Sequence, residues 1–194
     1  YLEKQLMVNF AKPMLMITLF WYYYSNTKQL NKYFVLGLFF SFLGDLLLLG
    51  TGEVYFIFGL LFFLIAHVFY IIMVLRLIPA RKPKNFIMAS VPFLLLFLIL
   101  MNILFAGLGS MKIPVIIYAM TISFFGIVSL LLYLETKTKI SLILLVGVLI
   151  FISSDSILAL NLFYKTQSFY PLLIMMSYVL AQYLICRFVL KLNE

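Results

Sequence analysis

The chain has 194 residues, 66% of them hydrophobic and only 10% charged, with a mean hydropathy of +1.19. Soluble domains run about 45–50% apolar and about 25% charged, so this composition leaves too little polar surface for a water-soluble fold, a nucleic-acid module or a disordered tail. The net charge of +8, from 14 Lys and Arg against 6 Asp and Glu, lies in short stretches between apolar runs. That is the distribution of membrane topology, not of nucleic-acid contact.

A helix needs about 20 apolar residues to cross some 30 Å of hydrocarbon. Seven runs qualify: 9–25, 33–50, 54–76, 86–106, 113–134, 140–163 and 168–190. The connections between them are short and carry the breakers and charges. Strand alternation is absent, which argues against a β-barrel. The expectation is an all-α, polytopic transmembrane helical bundle forming a single domain over residues 1–194. Lys28, Lys32, Arg76, Arg81, Lys82, Lys84, Lys137, Lys139, Arg187 and Lys191 fall on one face, against Lys4, Lys12, Lys112 and Lys165 on the other. This bias places the C-terminus in the cytoplasm, with a bacterial inner membrane as the expected location.

Ionisable groups inside a span are costly unless they pair or face a cavity, so each is a functional candidate. Glu3, Glu53, Glu135 and Glu194 lie at ends or in connections, leaving Asp45, Asp155 and the sole histidine, His67. Asp45 closes the run Ser41-Phe-Leu-Gly44-Asp45. Ser41 is one turn back, on the same helical face, and is expected to orient the carboxyl group. Gly44 permits close approach of another helix or a ligand. Asp155 sits in Phe151-Ile-Ser153-Ser154-Asp155-Ser156, with Asn161 further on, and Ser154 and Ser156 are expected to help it hold a water. Counted by helical rise, the two acids lie at similar depth in the outer half of the membrane.

His67 shares a face with Gly59, Phe63 and Tyr70, closer to the cytoplasmic side than either acid. One histidine and two acids are too few ligands for an ordinary metal site, so no metal or other cofactor is expected. The single cysteine, Cys186, excludes an internal disulfide. Tyr178 and Gln182 form a polar stripe at i, i+4 on the last span, Tyr118 follows Pro114 by four residues, and Lys12-Pro13 opens the first span. The lysine is either a topology marker or a contact for a lipid phosphate.

These elements, in this order, resemble the YhhN-like family of lysoplasmalogenases, integral membrane proteins. The carriers are Lys12-Pro13, Ser41-x-x-Gly44-Asp45, the Gly59, Phe63, His67, Tyr70 stripe, Pro114 with Tyr118, Phe151-x-x-Ser154-Asp155-Ser156, Asn161-x-Phe163, and Tyr178 with Ala181-Gln182. The family pattern has eight spans, one before the Lys-Pro element, so the resemblance implies a further helix ahead of Tyr1. It also implies cleavage of the vinyl-ether bond of lysoplasmalogens to a fatty aldehyde and a glycerophospho-alcohol. The expected partners are then a lysophospholipid substrate and membrane lipids.

The residues suit that chemistry. A vinyl ether is protonated on carbon, and water then traps the resulting oxocarbenium ion. The reaction needs a carboxyl that holds its proton near neutral pH and a base for the water, a pair comparable to that of glycosidases. Desolvation favours the neutral form of a carboxyl, and two neighbouring carboxyls titrate apart. The expected roles are Asp45 as proton donor and Asp155 as water-activating base, with His67 supporting or touching the headgroup. The alternatives are a carrier or sensor for a lipid or small amphiphile, using the acids as a proton relay or binding site, and a lysophospholipid esterase. The esterase lacks a Gly-x-Ser-x-Gly elbow and would need a triad around His67.

Overall fold

The computed structural model describes the backbone of residues 2–79 and 82–192, and side chains from Met14 onward within those bounds. Seven helices follow one another: α1 (Leu2–Asn26), α2 (Lys32–Leu47), α3 (Glu53–Leu75), α4 (Pro83–Leu104), α5 (Lys112–Thr136), α6 (Lys139–Phe163) and α7 (Tyr170–Lys191), with a 3-10 turn at Gly109–Met111 before α5. There is no strand among the described residues. Helices α3 to α7 are long and apolar enough to cross a membrane.

Local chemistry sets the boundaries. The side chain of Asn31 caps α2, accepting from the backbone N–H groups of Tyr33 at 3.1 Å and Phe34 at 3.2 Å. Thr138 caps α6 in the same way through Ser141 N at 3.1 Å. Lys137, at φ +53°, makes the left-handed turn that ends α5 and reverses the chain into α6. Two of the expected spans differ. The apolar run 33–50 is helical only to Leu47, because the Gly50-Thr51-Gly52 turn, with Gly52 at φ +106°, unwinds the chain first. The 16 residues of α2 rise about 24 Å, short of a full hydrocarbon crossing. Helix α1 begins at Leu2, so Lys12-Pro13 falls within it and does not open it.

A continuous core draws residues from all seven helices, from Met16 of α1 to Leu190 of α7. The most extensive pairings are α6 with α7 and α2 with α3. Helix α5 is the most enclosed of the apolar helices and α4 the least. Leu94, Leu95, Leu98 and Ile99 of α4 are exposed, as suits a lipid-facing surface. The α2–α3, α4–α5 and α6–α7 connections gather at one end, opposite the end that holds most of the Lys and Arg.

Candidate functional site

Five buried polar residues, Ser41, Asp45, His67, Ser154 and Gln182, collect where α2, α3, α5, α6 and α7 meet. Asp45, on α2, is only 2% exposed. Gly44 beside it has no side chain, and a Cβ there would stand 2.7 Å from Cδ2 of Phe63. The Phe63 ring of α3 therefore seats directly against α2. The Oδ2 of Asp45 accepts a hydrogen bond from the Tyr178 hydroxyl of α7 at 2.9 Å. Asp155, on α6, receives the corresponding bond on its own Oδ2 from the Tyr118 hydroxyl of α5. Each carboxyl is thus held by a phenol from another helix.

Both acids, both tyrosines and Ser154 line one cavity of about 60 Å³, otherwise walled by apolar side chains that include Phe63, Leu60 and Leu158. This space is large enough to hold ordered water beside the two carboxyls. Asp155 is half-buried, against the near-complete burial of Asp45.

The serines near the acids hold different partners from those expected. Ser154 donates to the carbonyl of Ile174 on α7 at 3.0 Å, and Ser156 to the carbonyl of Ile152 at 2.7 Å. Tyr118, from α5, supplies a hydroxyl to Asp155 itself. Ser41, one turn before Asp45, accepts from Nε2 of Gln182 at 3.4 Å, while the Tyr70 hydroxyl donates to Oε1 of Gln182 at 3.2 Å. Helices α2 and α7 run antiparallel here and share two polar rungs, Asp45 with Tyr178 and Ser41 with Gln182.

His67 is fully buried just below this layer. Its Nδ1 lies 2.6 Å from the Phe63 carbonyl and donates to it, while Nε2 has no partner among the described residues. Tyr70, Tyr118, Phe125 and Phe151 surround the ring edge-on, with centroids 4.7–6.2 Å away. His67 does not line the acid cavity, and no three His, Cys, Asp or Glu converge among the described residues. The side chain of Lys12 lies outside the described residues.

A larger cavity of about 550 Å³ adjoins the acid pair at the end formed by the three gathered connections. The two spaces share Leu48, Phe56, Leu158, Leu162, Phe163 and Ile174 as walls. The vestibule adds Gly50, Gly52, Glu53, Met111, Asn161 and Pro171. Glu53 is the one charged side chain on its wall, and its Oε1 accepts from the Ser110 hydroxyl at 3.1 Å. The Oδ1 of Asn161 is buried with no partner among the described residues. Sequence reasoning missed the vestibule and the place of Glu53 on it. Its apolar wall residues carry no mark that separates them from lipid-facing ones, and Glu53 read only as a member of a connection.

Apolar helices wrapped around two carboxyl–phenol pairs define a polytopic α-helical membrane protein. The sequence matches the YhhN family over residues 7–189, and the chain belongs to that family. No curated protein and no solved structure matches it significantly.

Proposed function

We propose that the chain is a membrane-embedded hydrolase that cleaves the vinyl-ether bond of lysoplasmalogens. The observation that carries this reading is the pair Asp45 and Asp155, brought from two helices to one small, largely apolar cavity and each held by a tyrosine hydroxyl. Membership of the YhhN family, which includes lysoplasmalogenases, supports it.

Asp45 is the proton donor. A phenol donating to its Oδ2 leaves the acid proton on Oδ1. That proton passes to the vinyl carbon remote from the ether oxygen, and the π electrons form the new C–H bond. The adjacent carbon and the ether oxygen then share the positive charge. Asp155 takes a proton from water as the water oxygen bonds to that carbon, giving a hemiacetal. In the collapse Asp155 returns a proton to the departing glycerol oxygen as the C–O bond breaks. The hemiacetal hydroxyl proton goes to Asp45, so aldehyde and alcohol leave and both carboxyls regain their starting states. The greater exposure of Asp155 suits it to the step that handles water.

The apolar walls exclude bulk water, so the cation meets only the water held at the site. With the basic end of the bundle in the cytoplasm of a bacterial inner membrane, the vestibule opens on the opposite face and admits the headgroup side of the lipid. An esterase triad has less support. The His67 ring is enclosed by aromatic edges, and the Ser154 and Ser156 hydroxyls donate to backbone carbonyls.

The test supplies purified protein in detergent with a lysoplasmalogen and, separately, the matching ester lysolipid, and follows fatty aldehyde and fatty acid by mass spectrometry. Aldehyde from the vinyl ether alone is expected. Asp45→Asn and Asp155→Asn should each lower it roughly 10²–10⁴-fold, the usual worth of an acid or base. A well-folded protein that turns over neither lipid would overturn the hydrolase and favour a carrier that uses the acids as its binding site.

A further inference from the structure

We propose that Asn161 binds the free glycerol hydroxyl of the lysolipid and so selects lyso lipids over doubly substituted ones; this rests on the hydrolase reading above. The starting point is an anomaly. Buried polar atoms almost always have a hydrogen-bond partner, yet the Oδ1 of Asn161 has none among the described residues. Asn161 is part of the vestibule wall, and a turn of its amide brings the enclosed Oδ1 to face that space. Its neighbours there on α6, Leu158, Leu162 and Phe163, are apolar and offer no side-chain donor.

The position fits the ligand. Asn161 follows Asp155 by six residues on α6, about 9 Å along the axis towards the open end. In a lysoplasmalogen the ether oxygen and the free hydroxyl sit on adjacent glycerol carbons. A lipid with its vinyl ether between Asp45 and Asp155 and its headgroup in the vestibule carries that hydroxyl to the Asn161 side. The last turn of α6 is also held in place: the Thr166 hydroxyl donates to the Asn161 carbonyl at 2.9 Å, and Lys165 N to the Leu160 carbonyl at 2.8 Å. An acyl or alkyl group on the glycerol oxygen removes the donor, leaves Oδ1 unpaired and adds bulk. A site built around one hydrogen bond rejects an analogue that cannot make it.

The experiment uses hydrolysis-resistant alkyl-ether lysolipids with a free hydroxyl or with that position methylated, and reads binding from the thermal melting of the protein in detergent. The wild type should prefer the hydroxyl form roughly tenfold, the usual worth of one such hydrogen bond. Asn161→Leu should erase the preference by weakening only the hydroxyl form, and Asn161→Asp, which keeps an acceptor, should retain it. No preference in the wild type, or equal weakening of both lipids by Asn161→Leu, would overturn the proposal; a merely structural role predicts the latter. Aldehyde release from the vinyl-ether counterparts separates the two readings. A hydroxyl preference that depends on Asn161, without aldehyde, sinks the hydrolase and keeps this site. Aldehyde with a preference that survives Asn161→Leu does the reverse.

Discussion

The Tyr178 hydroxyl donates to Oδ2 of Asp45 at 2.9 Å, joining α7 to α2 across a separation of 133 residues in the chain. Tyr178→Phe keeps the ring, which meets Phe63 and Phe151 edge-on, and removes only the donor. Loss of one hydrogen bond costs about 0.5–1.5 kcal/mol, so melting in detergent should fall and aldehyde release should fall with it. Asp45→Asn keeps an acceptor for the phenol and should melt nearly as the wild type does while losing activity. If Tyr178→Phe left both stability and turnover intact, the phenol would have no part in holding Asp45.

Two glycines test how tightly the site is built. Gly44→Ala would place its Cβ 2.7 Å from Cδ2 of Phe63 and push that ring towards the acid cavity it lines. Overpacking of this kind costs about 1–3 kcal/mol, and turnover should drop as the cavity fills. Gly107→Ala meets the carbonyl oxygen of Phe163, which is backbone and cannot swing aside. It should be the more destabilising of the two, read as the larger drop in melting temperature. The reverse order would mean that the connection before α5 yields more readily than the α2–α3 contact.

Much of this architecture is legible in the sequence, because composition alone fixes lipid as the solvent and apolar length then marks the helices. What escapes is the matching of side chains between helices. Helical periodicity gives a residue its face and depth, so Asp45, Asp155, Tyr118 and Tyr178 all read as interior. It does not give the register of α5 against α6 or of α7 against α2, and that register decides which phenol meets which acid. The serines had a signal of their own. A serine inside a helix commonly donates to the carbonyl four residues back, as Ser156 does to Ile152, which commits its proton and leaves its oxygen as an acceptor. The shortening of α2 was also written in the chain, in Gly50 and Gly52. A continuous apolar run up to that turn hides the point at which the helix stops.

Gln182 offers a test of coupling. It accepts from Tyr70 and donates to Ser41, and all three side chains are buried. Gln182→Leu takes one partner from each hydroxyl, whereas Gln182→Leu with Tyr70→Phe removes one of the hydroxyls as well. The double variant should therefore melt at or above the single Gln182→Leu variant, with a coupling of about 0.5–1.5 kcal/mol in the cycle. Strict additivity would show that Tyr70 and Gln182 do not stabilise one another.

His67 is a further ionisable group of the interior, and its surroundings assign it to packing. Its Nδ1 is committed to the Phe63 carbonyl of its own helix, and four aromatic rings enclose the imidazole. Phe63 and Tyr118, which it touches, are walls of the acid cavity, so the ring supports the site from behind. His67→Phe replaces an aromatic plate by one of similar shape and should cost some stability while keeping aldehyde release within about tenfold of the wild type, far less than the loss of a catalytic acid or base. His67→Gln keeps a donor for the Phe63 carbonyl but gives up the edge contacts, and should melt lower than His67→Phe. A loss of a hundredfold or more in His67→Phe at unchanged melting would move the imidazole from packing into the reaction itself.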